Sequence, residues 1–174
     1  MNYQKGAAWA SKSLPYRGDQ WYPWLDNTDV IDVDPGDNSG TYPSPMLTDI
    51  DFSDRGDLIM SFTDRGGDVW GDRNFQHLAV STTGIRYVIG GDLLIAGIDC
   101  SSGNFTLENN GSFTSSGTTF SSTGGVGNNQ GPGGGEFLYR ENVTGDHDET
   151  AMGSVSNLYG SGQVLASVMD PLRT

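Results

Sequence analysis

A single cysteine, Cys100, stands in 174 residues. No internal disulfide can form, and a metal centre built from several thiolates is excluded. Basic residues are scarce too: two Lys and seven Arg face 22 carboxylates, for a net charge of −13. Such a surface repels phosphate, which argues against nucleic acid as a partner. No apolar run approaches the roughly 20 residues of a membrane span, so none is expected. The opening stretch MNYQKGAAWASKSLPYRGDQ has no hydrophobic segment of the kind an export signal needs. If the protein is exported, that signal has been removed or lies outside this chain.

What is present points to strands and turns. Of the acidic residues, 18 are Asp and four are Glu. Asp forms helices poorly and turns well, and 26 glycines add to the turn capacity. The hydrophobic share, 34%, is low for a globular domain. Four Trp, seven Tyr and seven Phe nonetheless need burial, which excludes disorder throughout. Short carboxylates in loops suit hard cations such as calcium; they also simply solubilise a chain.

Apolar residues alternate or cluster in short runs bounded by Gly, Asp, Asn or Ser. The pattern predicts strands at 47–53, 57–64, 75–81, 85–89, 92–98, 104–108, 136–140, 152–159 and 163–169. Residues 1–44 read as an extended, aromatic and proline-bearing arm, with WYPWLD (21–26) capping something apolar. Residues 45–174 read as the β domain. Within it, the low-complexity stretch 111–135 reads as a flexible loop, or alternatively as an ordered ligand loop dominated by backbone.

One internal repeat stands out. FSDRGDLIMSFTD (52–64) aligns without gaps to LYGSGQVLASVMD (158–170). Gly56 matches Gly162, Leu58-Ile59 matches Val164-Leu165, and Ser61 matches Ser167. This is a hairpin used twice. Repeated antiparallel hairpins suggest an all-β fold of antiparallel hairpin sheets, a partial or small β-propeller; a β-sandwich is the alternative. The Arg-Gly-Asp tripeptide at 55–57 falls at the tip of the first copy. The equivalent site in the second copy has Ser161 and Gln163 around its glycine, so the tripeptide reads as a turn rather than an adhesion signal. A further Arg-Gly-Asp occurs at 17–19.

Several phrases carry a resemblance: SPMLTDIDF (44–52), FTDRGGD (62–68), FTLENNGS (105–112), NNQGPGGGEFLY (128–139), DHDET (146–150) and GSGQVLASVMDP (160–171). Over roughly 43–172 the chain resembles the propeller-like ectodomain of large bacterial surface proteins. Those proteins carry serine-aspartate-repeat-type B modules or other immunoglobulin-like repeats. The resemblance implies export to the bacterial cell surface, a β architecture, and a role in attachment or assembly. It brings no catalytic residues with it.

Chemistry, if any, would come from acidic clusters. Asp49 and Asp51 alternate on one strand and so share a face, while Asp64 and Asp68 sit at the far end of the same hairpin. Like charges about 7 Å apart need a cation or an arginine between them, and Arg55, Arg65 or calcium would serve. In GDHDET, Asp146, Asp148 and Glu149 could hold calcium from a loop, and the same segment could simply be a turn. A metal-dependent hydrolase using Asp146, His147 and Glu149 is the remote reading. DVDPGDNSG (32–40) lacks calcium-loop spacing and is equally a Pro-Gly turn, and GPGGGE lacks the Lys-Ser/Thr of a phosphate loop. Sequons at Asn104, Asn110 and Asn142 matter only in a eukaryotic secretory pathway. The expectation is a non-enzymatic extracellular module for adhesion or assembly, possible calcium included. Its partner would be a protein or cell-surface ligand. The second expectation is a homopolymer subunit joined by β-strand addition.

Overall fold

The computed structural model describes residues 21–24, 32–34, 39–41, 44–66, 72–74, 85–87, 91–121 and 151–168. The predicted strands at 75–81 and 136–140 lie outside them. The main sheet is built from β3 (Pro45–Phe52), β4 (Leu58–Asp64), β7 (Gly91–Asp99) and β8 (Asn104–Leu107) in that order, all antiparallel. Two hairpins accompany it: β9 (Ser112–Ser115) with β10 (Thr118–Ser121), and β11 (Ala151–Leu158) with β12 (Gln163–Val168). A second four-stranded sheet joins β1 (Asp32–Asp34), β2 (Ser39–Thr41), β6 (Ile85–Tyr87) and β5 (Asp72–Asn74). Its β2–β6 pairing is parallel. The all-β expectation with antiparallel sheets therefore holds. Within the segment read as an arm, β1 and β2 pair antiparallel, and β2 joins this sheet through β6.

The period-two alternation of β4 and the central position of β7, which is buried on both faces from Gly91 to Gly97, explain the core. Ile59 pairs with Ile95, and Ser61 with Leu93, on one face of the main sheet. Both flanking hairpins pack there: Phe113 of β9 and Val155 of β11 complete the buried cluster, with Phe120, Val164 and Ala166 against it. Each fully buried aliphatic side chain stabilises the fold by roughly 1.5–3 kcal/mol. The opposite face is also apolar. Ile50, Met60 and Leu94 form one row, and Phe52, Leu58, Ala96 and Leu107 the next. At the edges of this face Ile50, Phe52 and Phe105 are exposed, with Phe52 and Phe105 ring centroids 6.5 Å apart.

Close approach of β9 to β7 depends on Gly97. A Cβ there would sit 2.0 Å from the Thr114 carbonyl oxygen, so only glycine admits the β9 backbone. The β9–β10 hairpin corrects the reading of 111–121 as flexible loop. Ser116 and Gly117, at φ 43° and 83°, supply the two positive-φ residues of a tight hairpin turn. Phe113 and Phe120 then stack across the strands, centroids 5.5 Å apart.

The repeated hairpin is real, but its alignment slips after the turn. In the first copy Phe52 pairs with Leu58, leaving Ser53–Asp57 as the turn. In the second Leu158 pairs with Gln163, leaving Tyr159–Gly162, one residue shorter. The gapless alignment sets Ile59 against Leu165. The register sets it against Val164, which lies in the core, whereas Leu165 is 60% exposed. A one-residue slip exchanges the two faces of a strand, and here it does so for all of β12.

Candidate functional site

The two copies of the hairpin meet along a seam made of side-chain carboxylates. Asp49 and Asp51 project from one face of β3, as alternation requires, and both reach the backbone of β11. Asp49 accepts the Val155 N–H at 3.0 Å, and Asp51 accepts the Asn157 N–H at 2.7 Å. Beyond the strand, Asp54 accepts the Gly160 N–H at 2.8 Å and the Asn157 side-chain amide at 3.0 Å. The backbone bonds from residues 155, 157 and 160 each span 106 positions, the offset of the sequence repeat. Each aspartate thus binds its own repeat equivalent. Among the described residues β11 has no ladder with β3; the carboxylates take the place of strand carbonyls.

The second oxygens of Asp49 and Asp51 accept the amides of Ile50 and Phe52 at 2.9 and 2.7 Å. Two N–H donors per carboxylate offset the repulsion between neighbours on the strand. The Asn157 amide, then the Phe52 amide, hold the Asp51 carboxyl below its ordinary 3.8, against some desolvation and with help from the Ser156 hydroxyl. A bulge at Thr48 in β3 faces the bulge of β11, where Gly153 adopts φ 104°. A Cβ on Gly153 would lie 3.3 Å from the Thr48 Cβ.

The Arg-Gly-Asp turn is occupied internally. Asp57 is fully buried. Its carboxylate accepts the Ser53 hydroxyl at 2.9 Å, Arg55 Nε at 3.1 Å and the Ile98 N–H at 3.2 Å. Burial disfavours the charged form, but hydroxyls of Ser115 and Ser53, the Ile98 amide and the Arg55 charge outweigh it and hold the carboxyl below its ordinary value. Arg55 lies over the Phe120 ring, 4.1 Å from its centroid. Gly56 takes φ 88° to close the turn. The tripeptide is therefore a bolt between hairpin and sheet.

Where the two hairpin ends meet β9–β10, a cleft of about 250 Å³ opens. Ser53, Asp54, Arg55, Phe120, Asn157 and Gly162 line it over an apolar floor of Ile59, Ile95 and Val164. It is large enough for one small polar group.

The remaining sequence candidates are dispersed. Asp64, at the end of β4, is fully buried and accepts the amides of Ser44 and Gly66 at 3.0 and 2.9 Å, closing the open end of the hairpin. It does not join Asp49 and Asp51: among the described residues no group of three His, Cys, Asp or Glu could hold a metal. Of the arginines expected between Asp49 and Asp51, Arg55 pairs with Asp57 and Arg65 lies over Trp24. Asp68, Asp146, His147, Asp148 and Glu149 lie outside the described residues, as do His77, Asn142 and Arg17-Gly18-Asp19. In the WYPWLD segment, Trp21 is buried and Trp24 donates its indole N–H to the Pro45 carbonyl.

Glu108 escaped the sequence reading. It is buried, and its two oxygens accept the Ile95 and Gly111 amides at 3.0 and 2.7 Å. The signal for it was local: a Glu just before Asn-Asn-Gly, where a turn leaves amides unpaired. Among the described residues no helix is long and apolar enough to cross a membrane.

The chain is similar to a curated protein, Colossin-B of Dictyostelium discoideum. The two are 36% identical over 143 residues, which is 79% of this chain and 3% of that protein. The chain thus spans a small fraction of the relative it matches. No family model and no solved structure matches it.

Proposed function

We propose that this chain is an extracellular, non-enzymatic module that attaches a large protein to a protein or cell-surface partner through the outward face of its main sheet. One observation carries the reading. The inner face of that sheet is filled by the two hairpins, yet the outer face is apolar too: Leu94 and Ala96 at its centre are buried, and at its β3 and β8 edges Ile50, Phe52 and Phe105 are each exposed by 43% or more. Exposed apolar area of this kind marks interaction surfaces. Supporting it, the described carboxylates Asp49, Asp51, Asp54, Asp57 and Glu108 are bound to amides and hydroxyls of the chain itself. They stiffen a scaffold, as an attachment module needs. Similarity to a segment of a very large protein fits a module within a longer chain, as does the resemblance to bacterial surface ectodomains.

The test compares the labelled wild-type chain with a Phe52→Ser/Phe105→Ser variant for binding to the surface of the cells that make it. Wild type should bind saturably and the variant at least tenfold more weakly, with unchanged circular dichroism. Equal binding by both, or no binding by wild type, would sink the proposal. A second reading, a subunit of an extracellular polymer, is favoured by the seam, which joins two hairpins without a shared ladder.

A further inference from the structure

We infer that the β11–β12 hairpin can be exchanged between copies of this chain, the carboxylates of Asp49, Asp51 and Asp54 in one copy receiving the β11 backbone of another. The inference deepens the assembly reading and rests on it.

Three features lead there. First, among the described residues β11 and β12 pair only with each other; no backbone ladder ties them to the main sheet. Among the described residues the ladder of the hairpin is closed on itself. Second, the described contacts that hold it are the bonds from Val155, Asn157 and Gly160 to the three aspartates, and the packing of Val155, Val164 and Ala166 in the core cluster of Ile59, Leu93, Ile95 and Phe113. All belong to the hairpin on one side and to the body on the other, so all can form equally between two chains. Third, residues 122–150 link Ser121 to Ala151. That chain length sets an upper limit of roughly 90 Å on the separation of its ends, so covalent connection alone does not confine the hairpin to its own copy.

Exchange of an identical element leaves its contacts unchanged, so concentration decides between closed monomers and exchanged assemblies. The partner is a second copy, and each copy completes the other's seam. If the exchange is reciprocal a dimer closes; if each copy passes its hairpin onward, a linear polymer grows. Protonating the seam carboxylates would remove their charge-assisted bonds and open the closed form, so an acid step followed by return to neutral pH at high protein concentration should trap the exchanged one.

The Thr48–Gly153 contact gives a direct test, because a Cβ separation of 3.3 Å is near that of a disulfide. In a Cys100→Ser background, chains carrying Thr48→Cys are mixed with chains carrying Gly153→Cys, taken to pH 2, and returned to neutral under mild oxidation. Exchange predicts a disulfide-linked heterodimer. A chain carrying both substitutions, oxidised while dilute, should lock as a monomer and fail to assemble after the same cycle. Wild type should show dimers or larger species by light scattering, increasing with concentration.

A second measurement needs no substitution at the strained Gly153. Isotope-labelled and unlabelled wild-type chains are cycled together, and filtered NMR reads contacts between Asp51 of labelled chains and Asn157 of unlabelled ones. Wild type that stays monomeric at every concentration overturns the inference, as do assemblies lacking these contacts or a locked chain that assembles like wild type. Loss of cell-surface binding in the Phe52→Ser/Phe105→Ser variant would leave all of these results unaffected, so the two proposals fail separately.

Discussion

Replacing Asp57 by asparagine tests whether the Arg-Gly-Asp turn is a bolt or a signal. The oxygen facing Ser53 and Arg55 becomes an amide nitrogen, while the oxygen facing the Ile98 N–H is kept. Arg55 Nε then meets a donor instead of a carboxylate. A hydrogen bond to a charged group contributes about 1.5–3 kcal/mol when intact. The Ser53 hydroxyl oxygen already accepts the Arg55 and Asp57 amides and has no lone pair left for the new amide, whereas the Arg55 side chain is 47% exposed and can rehydrate. The net loss should therefore be about 3 kcal/mol, the lower end of the range for two such bonds. For a chain of this size that is a fall in melting temperature of about 5–10 °C. The pH dependence adds a second signature. The Asp57 carboxyl is held below its ordinary value in the folded state. Its contribution is thus present above the unfolded-state value and is lost as pH falls through the folded one. Asp57→Asn should flatten the acid limb of stability below about pH 4, where an unfolded aspartate is half protonated and becomes more so. Calorimetry from pH 2 to 7 measures both. A melting temperature within about 1 °C of wild type across that range would refute the account, since losing a buried network should shift it by several degrees.

Two other positions give separate checks. Gly97→Ala drives a methyl group into the Thr114 carbonyl, 2.0 Å away, and should cost at least about 1–3 kcal/mol by urea unfolding. Gly103→Ala, at φ 74° with open space around it, should cost only about 1 kcal/mol of backbone strain. Asp99 accepts the hydroxyls of Ser101 and Ser102, which hold its carboxyl down to about 2. An NMR titration should find its midpoint there, moving back toward 3.8 in Ser101→Ala/Ser102→Ala.

Alternation made β3 and β4 legible, because each sets one row of side chains deeper than the other, while β7, buried on both faces, showed as a continuous apolar run. The β9–β10 hairpin was hidden by composition: Ser, Thr and Gly make 111–121 look featureless. Its mark was symmetric, Phe113 and Phe120 flanking Ser116-Gly117. The slip in β12 could not be read, since turn length depends on which residues take positive φ, and both Gly160 and Gly162 do so. Alternation also placed Asp49 and Asp51 on one face. What they bind was beyond the sequence. A backbone amide carries no residue-specific signature, whereas arginines and cation ligands do, so the reading turned to charge partners while the structure uses Val155 and Asn157.

The seam also sets what changes of length the chain tolerates. Its geometry depends on Asp49, Asp51 and Asp54 keeping their spacing against residues 155, 157 and 160. One residue gained or lost inside either triplet would turn a carboxylate or an amide to the opposite face. Residues gained or lost between the copies, in 122–150, would change the offset of 106 without altering the spacing within either triplet. Insertions and deletions should therefore accumulate between the hairpins and be purged within them.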